Sequence, residues 1–276
     1  MTYQQIVEQI RKKKSYLCVG LDTEMQKIPK FLRNAEYPLY EFNRQIVDAT
    51  QAYAVAYKPN MAFYETLGAA GWMSLEMTIR YIREKVPQAF IIADAKRGDI
   101  GNTSRMYAAA FLEHLDADAI TVAPYMGHDS VAPFLEPASK WVILLALTSN
   151  SGSADFQHAE MKSGRKLYEE VIAKSLTWAD HQKMMYVVGA TQAEWIRSIR
   201  KIIPQHFLLV PGVGAQGGSL KDVSDAGLNK NCGLLVNSSR NIIYADGTER
   251  FAQAAGEAAA ALQKEMEGYL RSFGIL

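Results

Sequence analysis

Residues 89–104, AFIIADAKRGDIGNTS, run from the apolar residues Phe90, Ile91 and Ile92 directly into Asp94, Lys96, Arg97 and Asp99. If the apolar run is a strand, positions 94 and 96 leave it on one face, so a carboxylate and an ammonium point the same way where the strand ends. Asp99 falls in the following turn, ahead of Asn102 or Thr103 as the cap of the next helix. Lys58 closes another apolar run, YAVAYKP, and makes an alternating array of Lys58, Asp94, Lys96 and Asp99 available. Carboxylates beside a lysine hold it protonated above its free pKa of about 10.4, which turns it into a positioned acid. A Schiff-base lysine needs the opposite, a pKa depressed by burial or by a neighbouring cation, so imine chemistry at Lys96 is disfavoured. The residues alone leave a second reading open, a strand-end salt bridge beside a helix N-terminal carboxylate, because structural ion pairs imitate sites.

A second stretch, PGVGAQGGSL at 211–220, sets Gly212, Gly214 and Gly217 in a GxGxxG spacing. As a dinucleotide fingerprint it is weak, since the next strand ends in Asn237 and Ser238 with no acid for a ribose diol. Glycines that bare backbone N–H groups ahead of a helix start still form a phosphate cradle. Arg240, just past the following strand, would add a bidentate phosphate contact. Taken singly these are a tight loop and a surface cation; in adjacent loops they favour phosphate binding.

What positions these residues is a series of eight short apolar runs: LCVGLD from 17, YAVAYKP from 53, AFIIADAK from 89, ADAITVAP from 117, WVILLALT from 141, MMYVVGAT from 184, HFLLVPGVG from 206 and CGLLVNSS from 232. Continuous apolar character, without alternation, marks strands buried on both faces, as in a parallel sheet covered by helices. Helix-patterned segments lie between them, at 38–51, 73–86, 102–115, 164–180, 191–202 and 248–271. The strand starts recur about every 31 residues, the spacing of a (β/α)8 TIM barrel of typically ~250 residues. A doubly wound sheet is the alternative, with fewer strands and a topological switch. No Pro/Ser-rich linker or charge block divides the chain, so 1–276 is expected to form a single barrel domain.

In such a barrel the C-terminal strand ends build the site. Here they carry Asp22, Lys58, Asp94 with Lys96, Thr121, Thr148 with Ser149, Thr191, Gly214, and Ser239 with Arg240. The longest connection, SNSGSADFQHAEMKS at 149–163, is small and polar, and suits a lid over the mouth.

Composition narrows the partners. The 276 residues hold 30 Lys and Arg against 29 Asp and Glu, a net charge of +1, so there is no electrostatic footprint for nucleic acid or an anionic membrane. The longest apolar run, WVILLAL, falls far short of the ~18 residues of a membrane span. RKKK at 11–14 before LCVGL mimics a signal peptide, but an amphipathic stretch precedes it and Asp22 cuts the apolar run short. Cys18 and Cys232 lie in apolar runs without a CxxC, which suits buried, reduced thiols and a cytoplasmic location. The five histidines show no metal-ligand spacing.

With these stretches in view, the chain resembles the orotidine 5'-phosphate decarboxylase family, closest to its longer, divergent bacterial branch. DAKRGDIGNT at 94–103 resembles the family's DxKxxDI signature, and GLD at 20, YKP at 57, LTSNSGS at 147, PGVGAQGG at 211 and SSRNIIYA at 238 match further blocks in order. The resemblance implies a decarboxylation of orotidine 5'-phosphate to UMP without metal or cofactor, in de novo pyrimidine synthesis. It implies Lys96 as the acid that protonates C6, Asp94 beside the departing carboxylate, Lys58 and Asp22 on the ribose hydroxyls, and Ser149 on the pyrimidine edge. Gln216 and Arg240 would hold the phosphate, with Gly214 and Ser239 in the same loops. Asp99, Ile100 and Thr103 would reach into a partner subunit's site, which makes the working unit a homodimer. The sequence departs from the pattern at Ser238-Ser239-Arg240, where shorter members carry Gly-Arg, and at Ser151, where a proline is expected. Magnesium-dependent 3-keto-gulonate phosphate decarboxylases share the Asp-x-Lys-x-x-Asp motif, but carry an acid where this chain has Lys58. A non-catalytic nucleotide sensor on the same scaffold is the other rival.

Overall fold

The structure, a computed structural model, describes residues 1–190, 193–213 and 218–276. Among them eight strands, β1 (Leu17–Leu21), β2 (Ala54–Pro59), β3 (Phe90–Arg97), β4 (Ala119–Val122), β5 (Trp141–Leu147), β6 (Met184–Val188), β7 (Leu208–Pro211) and β8 (Leu234–Ser238), pair in chain order and close into a barrel. Every pair is parallel, with β8 returning to β1. The strands are buried on both faces because their side chains alternate between the barrel interior and the helical ring. That is why the sequence shows unbroken apolar runs, and it settles the choice against a doubly wound sheet.

The helices are α1 (Tyr3–Lys13), α2 (Pro38–Thr50), α3 (Met61–Glu65), α4 (Gly68–Lys85), α5 (Gly101–Ala108), α6 (His128–Leu135), α7 (Ser153–Phe156), α8 (Leu167–Ser175), α9 (Ala193–Ile202), α10 (Leu220–Gly227), α11 (Arg240–Ile243) and α12 (Phe251–Ser272). The segment expected at 73–86 starts five residues earlier, at Gly68. The one expected at 164–180 shortens to Leu167–Ser175, and the one at 102–115 is α-helical only to Ala108. From Ala109 to His114 it widens to a π-helix, with Leu115 N–H bonded to Ala110 O, five residues back. Of the 191–202 segment, Ala193–Ile202 is α9, while Thr191 and Gln192 lie outside the described residues. Within 149–163 the chain forms α7, and Gln157 after it bonds the Thr148 amide and hydroxyl at 2.8 and 2.9 Å, tying the loop to the end of β5.

The outer ring is fixed by stacked aromatics, such as Phe42 of α2 on Phe251 of α12 at 5.0 Å. At the N-terminal face the Arg200 guanidinium donates to the carbonyls of Ile203, His206, Gly227 and Gly233. One cation thereby satisfies backbone groups that the turns would otherwise bury unpaired. Cys18 and Cys232 are buried free thiols, pushed up to about 12 by burial.

Candidate active site

The C-terminal mouth of the barrel encloses a cavity of about 360 Å³. Its charged wall comes from the ends of β1, β2 and β3, and its apolar wall from Leu145, Val187 and Leu209 of β5, β6 and β7. The Asp94 carboxylate sits at the centre of the charges. Its Oδ2 accepts the Lys58 ammonium at 2.8 Å, and its Oδ1 accepts the Lys96 ammonium at 2.6 Å and the Thr121 hydroxyl at 3.0 Å. Lys58 also lies 3.6 Å from Asp22 Oδ1. Lys58 is 5% exposed and Asp22 20%, whereas Lys96 is 51% exposed and reaches into the open part of the mouth.

Burial alone would raise the Asp94 carboxyl, but Lys58 and Lys96 together hold it well below the ordinary carboxylate range. For Lys58 burial pulls the other way, lowering it, and the Asp94 and Asp22 carboxylates outweigh that and keep the ammonium above its usual value. Asp94 and Lys58 are therefore both ionised at neutral pH.

The structure brings Asp94 and Lys96 together, as expected, but not by simple strand alternation. Ala93 pairs with Ile120 and Arg97 with Val122, so three residues of β3 face Thr121 alone. Within this bulge Lys96 adopts the left-handed conformation, with φ +47°. A non-glycine residue there is strained, a state that persists only where the surroundings enforce it. Past the bulge the ladder resumes, Ala123 N–H bonding Arg97 O at 2.9 Å. Arg97 is anchored by Glu65 and packs its guanidinium over Tyr107 and Phe111.

Within the chain Lys58 has Asp22 as a second carboxylate beside Asp94, because β1 and β2 are adjacent; Asp99 stands away from this chain's own cavity. The Asp99 side chain accepts the Ile100 N–H at 2.7 Å, and its turn is pinned by the buried Ser104 hydroxyl. Ile100 is 61% exposed and Thr103 is exposed, so neither enters this chain's own cavity.

Asp22 is held by backbone anchors: Tyr244 donates to its carbonyl at 3.0 Å, and Tyr64 to the carbonyl of Leu21 at 3.0 Å. Its Oδ1 is buried and, among the described residues, accepts no hydrogen bond. Ser149 and Ser239 reach the cavity through two close backbone approaches. A Cβ at Gly189 would stand 2.7 Å from Ser149 Cβ, and one at Gly20 would stand 2.7 Å from Ser239 Cβ, so only glycine lets those strand ends converge. Arg240 lines the cavity, is exposed, and among the described residues has no ion-pair partner. Gly214 and Gln216 lie outside the described residues.

Sequence reasoning missed Asn60, Asn150 and Asn237 as cavity-lining groups. Asn60 follows YKP directly and caps α3, bonding the Ala62 N–H, so its pattern reads as a cap and hides its place at the site. Among the described residues no cluster of three His, Cys, Asp or Glu side chains is arranged to hold a metal ion, and no helix is long and apolar enough to cross a membrane.

A closed parallel barrel whose strand ends gather a buried ion network, an apolar wall and an exposed arginine at one mouth defines a (β/α)8-barrel enzyme. The model of the orotidine 5'-phosphate decarboxylase / HUMPS family matches residues 15–255, and the chain belongs to that family. Among its relatives, the orotidine 5'-phosphate decarboxylase of Parabacteroides distasonis is 62% identical over 276 residues, covering all of this chain and 99% of that one. That of Porphyromonas gingivalis is 58% identical over the same length. Among solved structures, the OMP decarboxylase of Leishmania donovani is 35% identical, covers 98% of each chain and has a TM-score of 0.83.

Proposed function

We propose that this chain converts orotidine 5'-phosphate to UMP and carbon dioxide in de novo pyrimidine synthesis, with Lys96 as the proton donor. The observation that carries this reading is the Asp94 carboxylate bridging a buried and an open ammonium beside an apolar wall. When the bond from C6 to the carboxylate breaks, its electron pair stays on C6 in an orbital that no adjacent π system can accept. The barrier must fall by much of the ~8–23 kcal/mol range available to enzymes. A fixed ammonium facing C6 stabilises that charge more than it stabilises the substrate, then gives up its proton to C6 and regains one from water. Asp94, ionised by its neighbours, would repel the substrate carboxylate, and the apolar wall would receive the neutral carbon dioxide.

The remaining assignments follow the same pose. The buried Asp22 Oδ1 and the Lys58 ammonium suit ribose hydroxyls, Ser149 the pyrimidine edge, and Arg240 with Ser239, Gly214 and Gln216 the phosphate. No cofactor or metal enters. The exposed Asp99 turn, with Ile100, Met106 and Tyr125 standing out beside it, supports a homodimer in which Asp99, Ile100 and Thr103 complete a partner's site. We take the whole chain as one domain, and buried thiols suit a cytoplasmic enzyme.

The test is the loss of absorbance of orotidine 5'-phosphate in the presence of chelator. Wild type should turn over at full rate, and Lys96→Ala should lose nearly all turnover while still binding UMP. A Lys96→Ala variant as active as wild type would refute the proton-donor role, and an inactive wild type would refute the reaction.

A further inference from the structure

Thr121 is the single β4 residue facing the three-residue bulge of β3. It is fully buried, and its hydroxyl works in both directions: it accepts the Lys96 backbone N–H at 2.9 Å and donates to Asp94 Oδ1 at 3.0 Å. The ladder cannot supply a partner for the Lys96 N–H at this point, since backbone pairing stops at Ala93 and resumes at Arg97. The side chain therefore stands in for the missing strand partner. One hydroxyl ties together the two ends of the Asp94 to Lys96 ion pair, from the backbone of the lysine and from the carboxylate of the aspartate.

We propose that Thr121 is a positioning residue for the decarboxylation: it holds Lys96 in its left-handed conformation and so aims the ammonium at the reacting carbon. This role rests on the reaction proposed above. A strained backbone needs surroundings that enforce it. With the Thr121 hydroxyl gone, the Lys96 peptide has an unpaired N–H and an open route to the extended region, where the side chain would leave the strand in another direction. Asp94 keeps its two ammonium partners, so the charge network survives and only its geometry loosens. Thr121 touches neither the ribose nor the phosphate groups of the proposed pose, because Asp22 and Arg240 come from the other side of the barrel, after β1 and after β8.

The experiment compares Thr121→Val, Thr121→Ala and Thr121→Ser with wild type. Valine keeps the volume and removes the hydroxyl, while serine keeps the hydroxyl and removes the methyl. A misplacement of about 1 Å costs on the order of 100-fold in rate. Val and Ala variants are expected to lose about 10- to 100-fold in kcat, with KM and UMP affinity within about threefold of wild type, and Ser to stay within about threefold in kcat. Equal kcat in Val and wild type, or Ser falling as far as Val, would overturn the assignment while leaving the reaction intact. Loss of UMP binding in both Val and Ala would assign Thr121 to folding and overturn it likewise. An inactive wild type removes the reaction itself, and this proposal with it.

Discussion

Replacing Asp94 by asparagine keeps its shape and removes its charge, and the cost falls unequally on its two lysine partners. Lys96 is half exposed and recovers water, so its lost pairing contributes under about 1 kcal/mol. Lys58 is 5% exposed and cannot. Breaking a buried pair from one side costs about 3–5 kcal/mol, because the remaining charge is stranded. Asp22 is still 3.6 Å from Lys58, which places the expectation at the lower end, about 3 kcal/mol. At an unfolding entropy of about 2.1 cal/mol/K per residue, that is a drop of about 5 °C in Tm at pH 7 without nucleotide. Urea unfolding read by circular dichroism measures it. The pH dependence supplies a second check. The Asp94 carboxyl is depressed in the fold, so its stabilisation is present above the unfolded value of about 3.9 and is lost progressively as pH falls below that value toward the lower folded one. The gap between wild type and Asp94→Asn should thus be flat near neutrality and close below about pH 5. In Asp94→Asn/Lys58→Met much of the loss should return, since no charge is left buried alone. A single variant within about 0.5 kcal/mol of wild type at pH 7, or a gap that does not shrink in acid, would refute the reasoning.

Arg240→Ala should raise KM for orotidine 5'-phosphate by roughly 10- to 100-fold, the equivalent of a charge-assisted contact of about 1.5–3 kcal/mol, with stability unchanged; an equal effect on unphosphorylated orotidine would contradict a phosphate role. His206 is buried and, among the described residues, neither ring nitrogen has a hydrogen-bond partner; burial, then His181 and Arg200, lower it from 6.5 to about 4. A depressed histidine stabilises above its unfolded pKa and is lost as pH falls from 6.5 toward 4. His206→Phe should therefore remove up to about 3 kcal/mol of acid-induced destabilisation, seen as a flatter Tm against pH over that interval. If the chain forms the proposed homodimer and Asp99 serves the partner's site, mixing Lys96→Ala with Asp99→Ala under subunit exchange should restore about a quarter of wild-type activity, because half the dimers would be mixed and each would hold one intact site. No recovery despite confirmed exchange would place Asp99 outside the partner's site.

The barrel was legible because its strands are buried on both faces: runs such as LCVGL and AFIIA carry that burial in every residue, and their spacing carries the repeat. The shorter elements were not. Helix α6 contains Pro133 and follows Gly127 at φ +92°, so neither its length nor its composition announces a helix. At the site, residue types at strand ends were enough to collect Asp22, Lys58, Asp94, Lys96, Ser149, Ser239 and Arg240 around one cavity. The pairing of Asp22 with Lys58 depends on β1 lying beside β2, a relation between segments that no local pattern expresses.

The bulge marks the deeper limit. Read as a plain strand, DAK predicts the correct neighbours for the wrong reason, because alternation would put Asp94 and Lys96 on one face without strain. The actual cause, the Thr121 hydroxyl, lies 25 residues away on β4 in an apolar run where a threonine looks like any β-branched strand residue. A strained conformation enforced from a neighbouring strand leaves no trace in the strained segment itself. Departures of this kind are expected where local preference gives way to function, and the site lysine is where this chain makes one.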